Sequence, residues 1–120
     1  MKRILCCLLL LAGALGPKAQ VMVEFRLETP ARTNDTGAVY IAGSFNGWNP
    51  QSEKGRLQRD APGRYSLRLS LPAGAHEYKF TRGGWNRGEA GPGGKPAPNR
   101  QLLLARDTVV GIQIEHWADG

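Results

Sequence analysis

Cysteine is nearly absent from this sequence: Cys6 and Cys7 are its only two, and both lie in the apolar stretch at residues 4–15. The rest of the chain can form no disulfide, so an ordinary hydrophobic core must hold it together, which about 100 residues can just supply. Histidine is equally scarce. His76 and His116 fall on different expected strands, with no second histidine or carboxylate at ligand spacing, so no metal centre is expected. No apolar run reaches the roughly 20 residues that a membrane-spanning helix needs. Helical periodicity and internal repeats are missing as well.

Other absences bear on catalysis and on charge. A nucleophile elbow needs glycine two residues before and two after the serine, but Ala42 and Asn46 occupy those positions around Ser44. None of the 10 acidic residues is singled out by context as one of a hydrolytic pair. A chain this short also offers no deep pocket for tuning a catalytic pKa, so it is read as no enzyme, and nothing in it calls for a cofactor. The formal charge of +6 falls to +3 without Lys2, Arg3 and Lys18, with 13 basic residues against 10 acidic ones. These charges are scattered singly, with no basic cluster that could track a phosphate backbone, so nucleic acid is not an expected partner.

Residues 1–19 have the layout of a secretory signal, with Lys2 and Arg3, then an apolar run, then small residues. Cleavage is expected after Ala19, which leaves 20–120 as one domain, secreted or periplasmic and with no membrane attachment of its own. Asn34-Asp35-Thr36 matches a glycosylation sequon, meaningful only in a eukaryotic secretory host.

Beyond residue 19 almost every apolar run has period two, the pattern of strands with one face on a core and one in water. In 20–28, Val21, Val23, Phe25 and Leu27 face inward. In 38–43, Val39 and Ile41 do so, and the chain then turns around Asn46-Gly47, carrying Phe45 and Trp48. Leu57 opens a short edge strand, and Pro62-Gly63 turns the chain into a run with Tyr65, Leu67, Leu69 and Leu71 inward. After a turn at 72–74 comes a run with Tyr78 and Phe80 inward and Glu77, Lys79 and Thr81 outward, expected to pair with the previous run as a hairpin. Residues 83–98 are rich in Gly and Pro and predict a long loop bearing Trp85. Strands at 100–105 and 109–117 close the chain, with Trp117 on the face opposite Ile112 and Ile114. About seven short strands predict an all-β, immunoglobulin-like antiparallel β-sandwich.

None of the three tryptophans sits at a core phase in this reading. A solvent-facing indole presents a flat polarisable face and one N–H donor, which match the C–H face and hydroxyl rim of a pyranose. The surrounding residues point the same way. The runs Gly43-Ser44-Phe45-Asn46-Gly47-Trp48, Leu71-Pro72-Ala73-Gly74 and Glu77-Tyr78-Lys79-Phe80, then Trp85 and Pro98-Asn99-Arg100, resemble in order and spacing the starch-binding domains of amylases and glucoamylases. They are similar too to the glycogen-binding modules of branching enzymes and of AMP-activated protein kinase. The resemblance spans about residues 21–117. It implies non-catalytic binding of α-1,4-glucan (starch, glycogen or maltooligosaccharide), with Trp48 and Trp85 as angled stacking platforms, Lys79 and Asn99 as hydrogen-bonding residues, and Trp117, near the final strand, as structural. It also implies a setting beside a catalytic domain, hence a glycoside hydrolase or another protein as partner. The competing expectation is an exported immunoglobulin-like structural or protein-interaction domain without sugar binding, in which Trp48 and Trp85 are packed away or far apart.

Overall fold

The computed structural model of the chain describes residues 19–30 and 37–120. The signal assigned to 1–19, Ala19 apart, and the sequon at 34–36 lie outside the described residues.

Among the described residues nine strands run in order: β1 (Gln20–Glu28), β2 (Tyr40–Gly43), β3 (Gln58–Ala61), β4 (Arg64–Pro72), β5 (Gly74–Thr81), β6 (Glu89–Ala90), β7 (Arg100–Leu104), β8 (Thr108–Gln113) and β9 (His116–Trp117). A four-stranded sheet, β3-β4-β1-β8, faces a three-stranded one, β2-β5-β7, and β6 pairs with β9 in a small separate ladder. Alternation works as expected in the longest strand. Val23, Phe25 and Leu27 of β1 are fully buried, while Met22, Arg26 and Glu28 are exposed. The Phe25 ring meets Tyr78 at 5.2 Å and Phe80 at 6.2 Å, both edge to face, so aromatic contacts join one sheet to the other.

Three expectations are corrected. The runs at 65–71 and 76–82 do not form a hairpin, because β4 and β5 belong to different sheets. Both edges of β4 are already taken, by β3 and by β1 in continuous register from Gln20↔Pro72 to Glu28↔Arg64, so β5 has no edge left to pair with. The chain crosses the sandwich instead at Ala73, whose N–H donates to Ala19 O at 2.8 Å, and at Gly74 with φ 127°.

The sandwich is also not wholly antiparallel. β8 lies parallel to β1, with Val23↔Thr108 through Glu28↔Gln113 in register, which the long route through the other sheet between them permits. Finally, Trp117 is not on an outer face. The last run breaks after Gln113, Ile114 N–H turns to Glu28 O at 2.8 Å, and the phase resets. Trp117 therefore packs in the core at 3% exposure, under the Arg82 guanidinium at 5.4 Å. The two strands beyond the expected seven are β6 and β9, too short for periodicity to register.

Trp117→Ala should therefore behave as a core truncation and cost about 3–5 kcal/mol in urea unfolding. Val109→Ala, on a strand of the same region but 57% exposed, should change stability by no more than about 0.5 kcal/mol. A Trp117→Ala variant as stable as the parent would return that ring to the surface.

Candidate functional site

Two loops that leave the three-stranded sheet, one from β2 and one from β5, carry the tryptophans. The first leaves β2 at Gly43, where a side chain is excluded: a Cβ there would sit 2.5 Å from Glu77 O and 2.7 Å from the Phe45 ring. Asn46 then shapes the turn with both ends of its amide. Its Oδ1 accepts from Gly43 N–H at 2.9 Å and its Nδ2 donates to Ile41 O at 3.0 Å. Phe45 points back, half-buried, onto the core and edge-on to His76 at 6.0 Å. Gly47 has φ 65°, and Trp48 follows at φ 58°, with its N–H donating to Gly43 O at 3.0 Å. Trp48 is the one non-glycine residue with positive φ among the described residues. A bulky side chain in the left-handed region is strained, and such strain is held only where the surrounding contacts over-determine it.

The second loop leaves β5 at Thr81. Gly83, with φ 106°, and Gly84 lead into a single 3₁₀ turn, Trp85–Arg87, whose first residue is 45% exposed. The expected 83–98 loop thus contains this turn, another at Pro92–Gly94 and strand β6, rather than being without secondary structure.

The loops bring the Trp48 and Trp85 rings to 6.5 Å between centroids, with their planes tilted by 46°. They do not meet by chance of packing alone. Thr81, expected outward, is fully buried between the loops, where its Oγ1 donates to Pro50 O at 2.8 Å and accepts from Gly83 N–H at 3.1 Å. Gln51 Nε2 adds a hydrogen bond to Gly83 O. The bonds to Pro50 O and from Gln51 Nε2 link the Trp48 loop to the Trp85 loop, and the Gly83 N–H bond ties the Thr81 hydroxyl to its own loop, so side-chain contacts set the ring geometry before any ligand arrives.

Lys79 lies on the outer face of β5, half-buried, with Nζ donating to Ala97 O at 2.6 Å. That ties it to the segment carrying Asn99, which is exposed and immediately precedes β7. Sequence reasoning missed Thr81, Gln51 and Glu89. Glu89 is buried at 7% exposure, accepting from Phe80 N–H at 2.9 Å and from Arg100 Nε at 3.0 Å, and so clamps the far side of the Trp85 loop to β5 and β7. Only the end-of-strand position of Thr81, where alternation gives way, could have hinted at its role.

A separate hollow of about 510 Å³ lies on the outer face of the four-stranded sheet, around Glu24, Arg26, Asp60 and Arg64. Arg68 and Arg26 hold the Glu24 carboxyl below its ordinary pKa. Glu24 is thus taken up by Arg26 and Arg68, whereas the tryptophan pair has an exposed apolar surface to offer. Among the described residues no group of His, Cys, Asp and Glu could hold a metal ion.

Comparison with known proteins bears on the family and the fold. Residues 31–89 match the family described as the glycogen recognition site of AMP-activated protein kinase. The chain is 39% identical over 99 residues to an alpha-amylase of Niallia circulans, covering 81% of this chain and 8% of the amylase. It is 32% identical over 106 residues to an amylopullulanase of Thermoanaerobacter thermohydrosulfuricus, covering 82% of this chain and 7% of that enzyme. It thus spans less than a tenth of the length of either relative. The fold is similar to part of a glycoside hydrolase family 15 glucoamylase from Hypocrea jecorina, with a TM-score of 0.57, 20% identity and coverage of 85% of this chain and 18% of that one. The glucoamylase of Hormoconis resinae gives a TM-score of 0.56 at 17% identity, covering 79% of this chain and 17% of that one. At such identities these two speak for the fold alone. The family match and the two amylolytic relatives mark this chain as a carbohydrate-binding module. Within that class the chain belongs to the starch- and glycogen-binding modules, the group that includes the glycogen recognition site of AMP-activated protein kinase.

Two variants test how the rings are held. Thr81→Val keeps the shape but leaves Pro50 O and Gly83 N–H without their partner, and should cost about 1–3 kcal/mol of stability. It should also diminish the exciton couplet that the Trp48–Trp85 pair gives in circular dichroism; an unchanged couplet would mean that the hydroxyl does not set the angle. Trp48→Gly relieves the positive φ that Trp48→Ala retains, so the glycine variant should be the more stable of the two by about 1 kcal/mol in urea unfolding, and equal stability would show no strain at that position.

Proposed function

We propose that this domain holds α-1,4-glucan (starch, glycogen or maltooligosaccharide) on the Trp48–Trp85 platform and performs no chemistry on it. The observation that carries the reading is the ring pair itself, 6.5 Å apart and tilted by 46°, with Trp85 45% exposed. Flat parallel faces would suit a flat ligand, whereas two tilted faces suit neighbouring glucose rings of a chain that curves. Each indole offers an apolar face to the pyranose C–H groups, and its N–H can donate to a hydroxyl. Lys79 has three donors, so it can keep Ala97 O and still reach a sugar hydroxyl, and Asn99 supplies both a donor and an acceptor.

The reading without sugar binding expected these rings to be packed away or far apart, and their pairing at a partly exposed site favours the glucan. An open platform desolvates little surface, so each site should bind weakly, and retention on a polymer should depend on the density of chain ends and segments. The small share of the amylase and amylopullulanase that this chain matches supports a non-catalytic module. With 1–19 as a cleaved secretory signal and 20–120 as the domain, it would act outside the inner membrane, secreted or periplasmic. There it would present or capture glucan for a glycoside hydrolase or another protein.

The test is retention on insoluble starch and mobility in glycogen-containing gels. The parent should be retained and retarded, and folded Trp48→Ala and Trp85→Ala variants should each lose about tenfold or more in affinity, equivalent to about 1.4 kcal/mol. A parent that passes through both matrices would leave the structural or protein-binding sandwich as the better reading.

A further inference from the structure

The two residues assigned hydrogen-bonding roles stand at the head of a strip that continues along the sheet. In the β5–β7 pairing, Tyr78 lies opposite Arg100, Glu77 opposite Gln101 and Ala75 opposite Leu103. Alternation puts Lys79, Glu77 and Ala75 of β5 on one outer face, and extending the register by one residue sets Asn99 beside Lys79 on the same face. The strip therefore reads Lys79 with Asn99, Glu77 with Gln101, then Ala75 with Leu103, each pair about 6.7 Å beyond the last. At its far end is a hollow of about 530 Å³ lined by Ala75, Glu77, Gln101 and Leu103 among others.

Leu103 has no structural reason to be where it is. It is 79% exposed within strand β7, the most exposed large apolar side chain among the described residues, and contributes nothing to the core. Beside it stand the polar side chains of Glu77 and Gln101, both exposed. An apolar contact flanked by an acceptor and an amide is the combination that a sugar ring uses.

We infer that Gln101 and Leu103 form an extension subsite for the same glucan, contacting glucose residues beyond those on the tryptophans. The inference rests on the proposed glucan-binding reading. A longer chain reaching this strip makes further contacts without a second loss of translational freedom, so the subsite gives a preference for chain length rather than a separate binding event.

Calorimetric titration of the full chain with maltotriose and maltoheptaose tests it, using the parent, a Leu103→Asn/Gln101→Ala double variant and Val109→Asn as a surface control on the other sheet. The parent should bind maltoheptaose about tenfold more tightly than maltotriose. The double variant should bind maltotriose like the parent and lose most of that gain, while the control keeps it. Because the extra registers open to a longer chain are the same in all three proteins, they cannot produce this difference. A double variant that keeps the full gain, or a parent with no gain, overturns the subsite while leaving the tryptophan platform standing. Failure of the parent to bind either sugar overturns both.

Discussion

The Thr81 hydroxyl is the contact on which the rest of the site depends. Two loops that leave different strands, β2 and β5, have no backbone ladder in common at the height of the tryptophans, and the hydroxyl spans that gap by donating to Pro50 O and accepting from Gly83 N–H. Buried polar groups are stabilising only when satisfied, and here one small side chain satisfies a carbonyl and an amide at once. Gln51 on one side and the Glu89–Arg100 clamp on the other extend this frame, so Trp85 is fixed from both flanks of its loop. The consequence for binding is preorganisation: little ring or loop entropy remains to be lost when a ligand arrives.

The Gly-Ser-Phe-Asn-Gly-Trp run now has a physical account. Gly43 permits close approach to β5, Phe45 fastens the turn to the core, and Asn46 ties its two ends together. Gly47 and Trp48 take the positive dihedrals that such a tight reversal requires. Glycine would serve better at position 48 on backbone grounds alone. A tryptophan there carries a local backbone cost, and the proposed stacking role beside the partly exposed Trp85 ring is what would offset it.

Much of this was legible in the sequence, but selectively. Alternation identified β1, β4 and β5 and the inward set Val23, Phe25, Tyr78 and Phe80, because period two reports directly which face is buried. It carries no information about neighbours, which is why β4 and β5 read as a hairpin and the parallel β1–β8 pair went unseen. Trp117 was misplaced because a break of two residues, Ile114 and Glu115, shifts the phase, and period counting assumes an unbroken strand. That Trp48 and Trp85 sit on loops was legible from the glycine-rich segments around them, whereas their pairing was implied only by the family resemblance. Thr81 and Glu89 were not legible, since Pro50 O and Phe80 N–H are brought to them only by the folded loops, and nothing about a threonine at a strand end or one carboxylate among several announces which carbonyl or amide it will meet.

The central claim is that Trp48 and Trp85 act together as the glucan contact while Trp117 is structural. Three tryptophans give three indole N–H resonances, so a nitrogen–proton correlation spectrum recorded during titration with maltoheptaose tests the claim residue by residue. The account predicts that the Trp48 and Trp85 resonances move together along one binding curve and that Trp117 stays in place. Movement of Trp117 with the other two fixed, or of one platform ring without its partner, would contradict it.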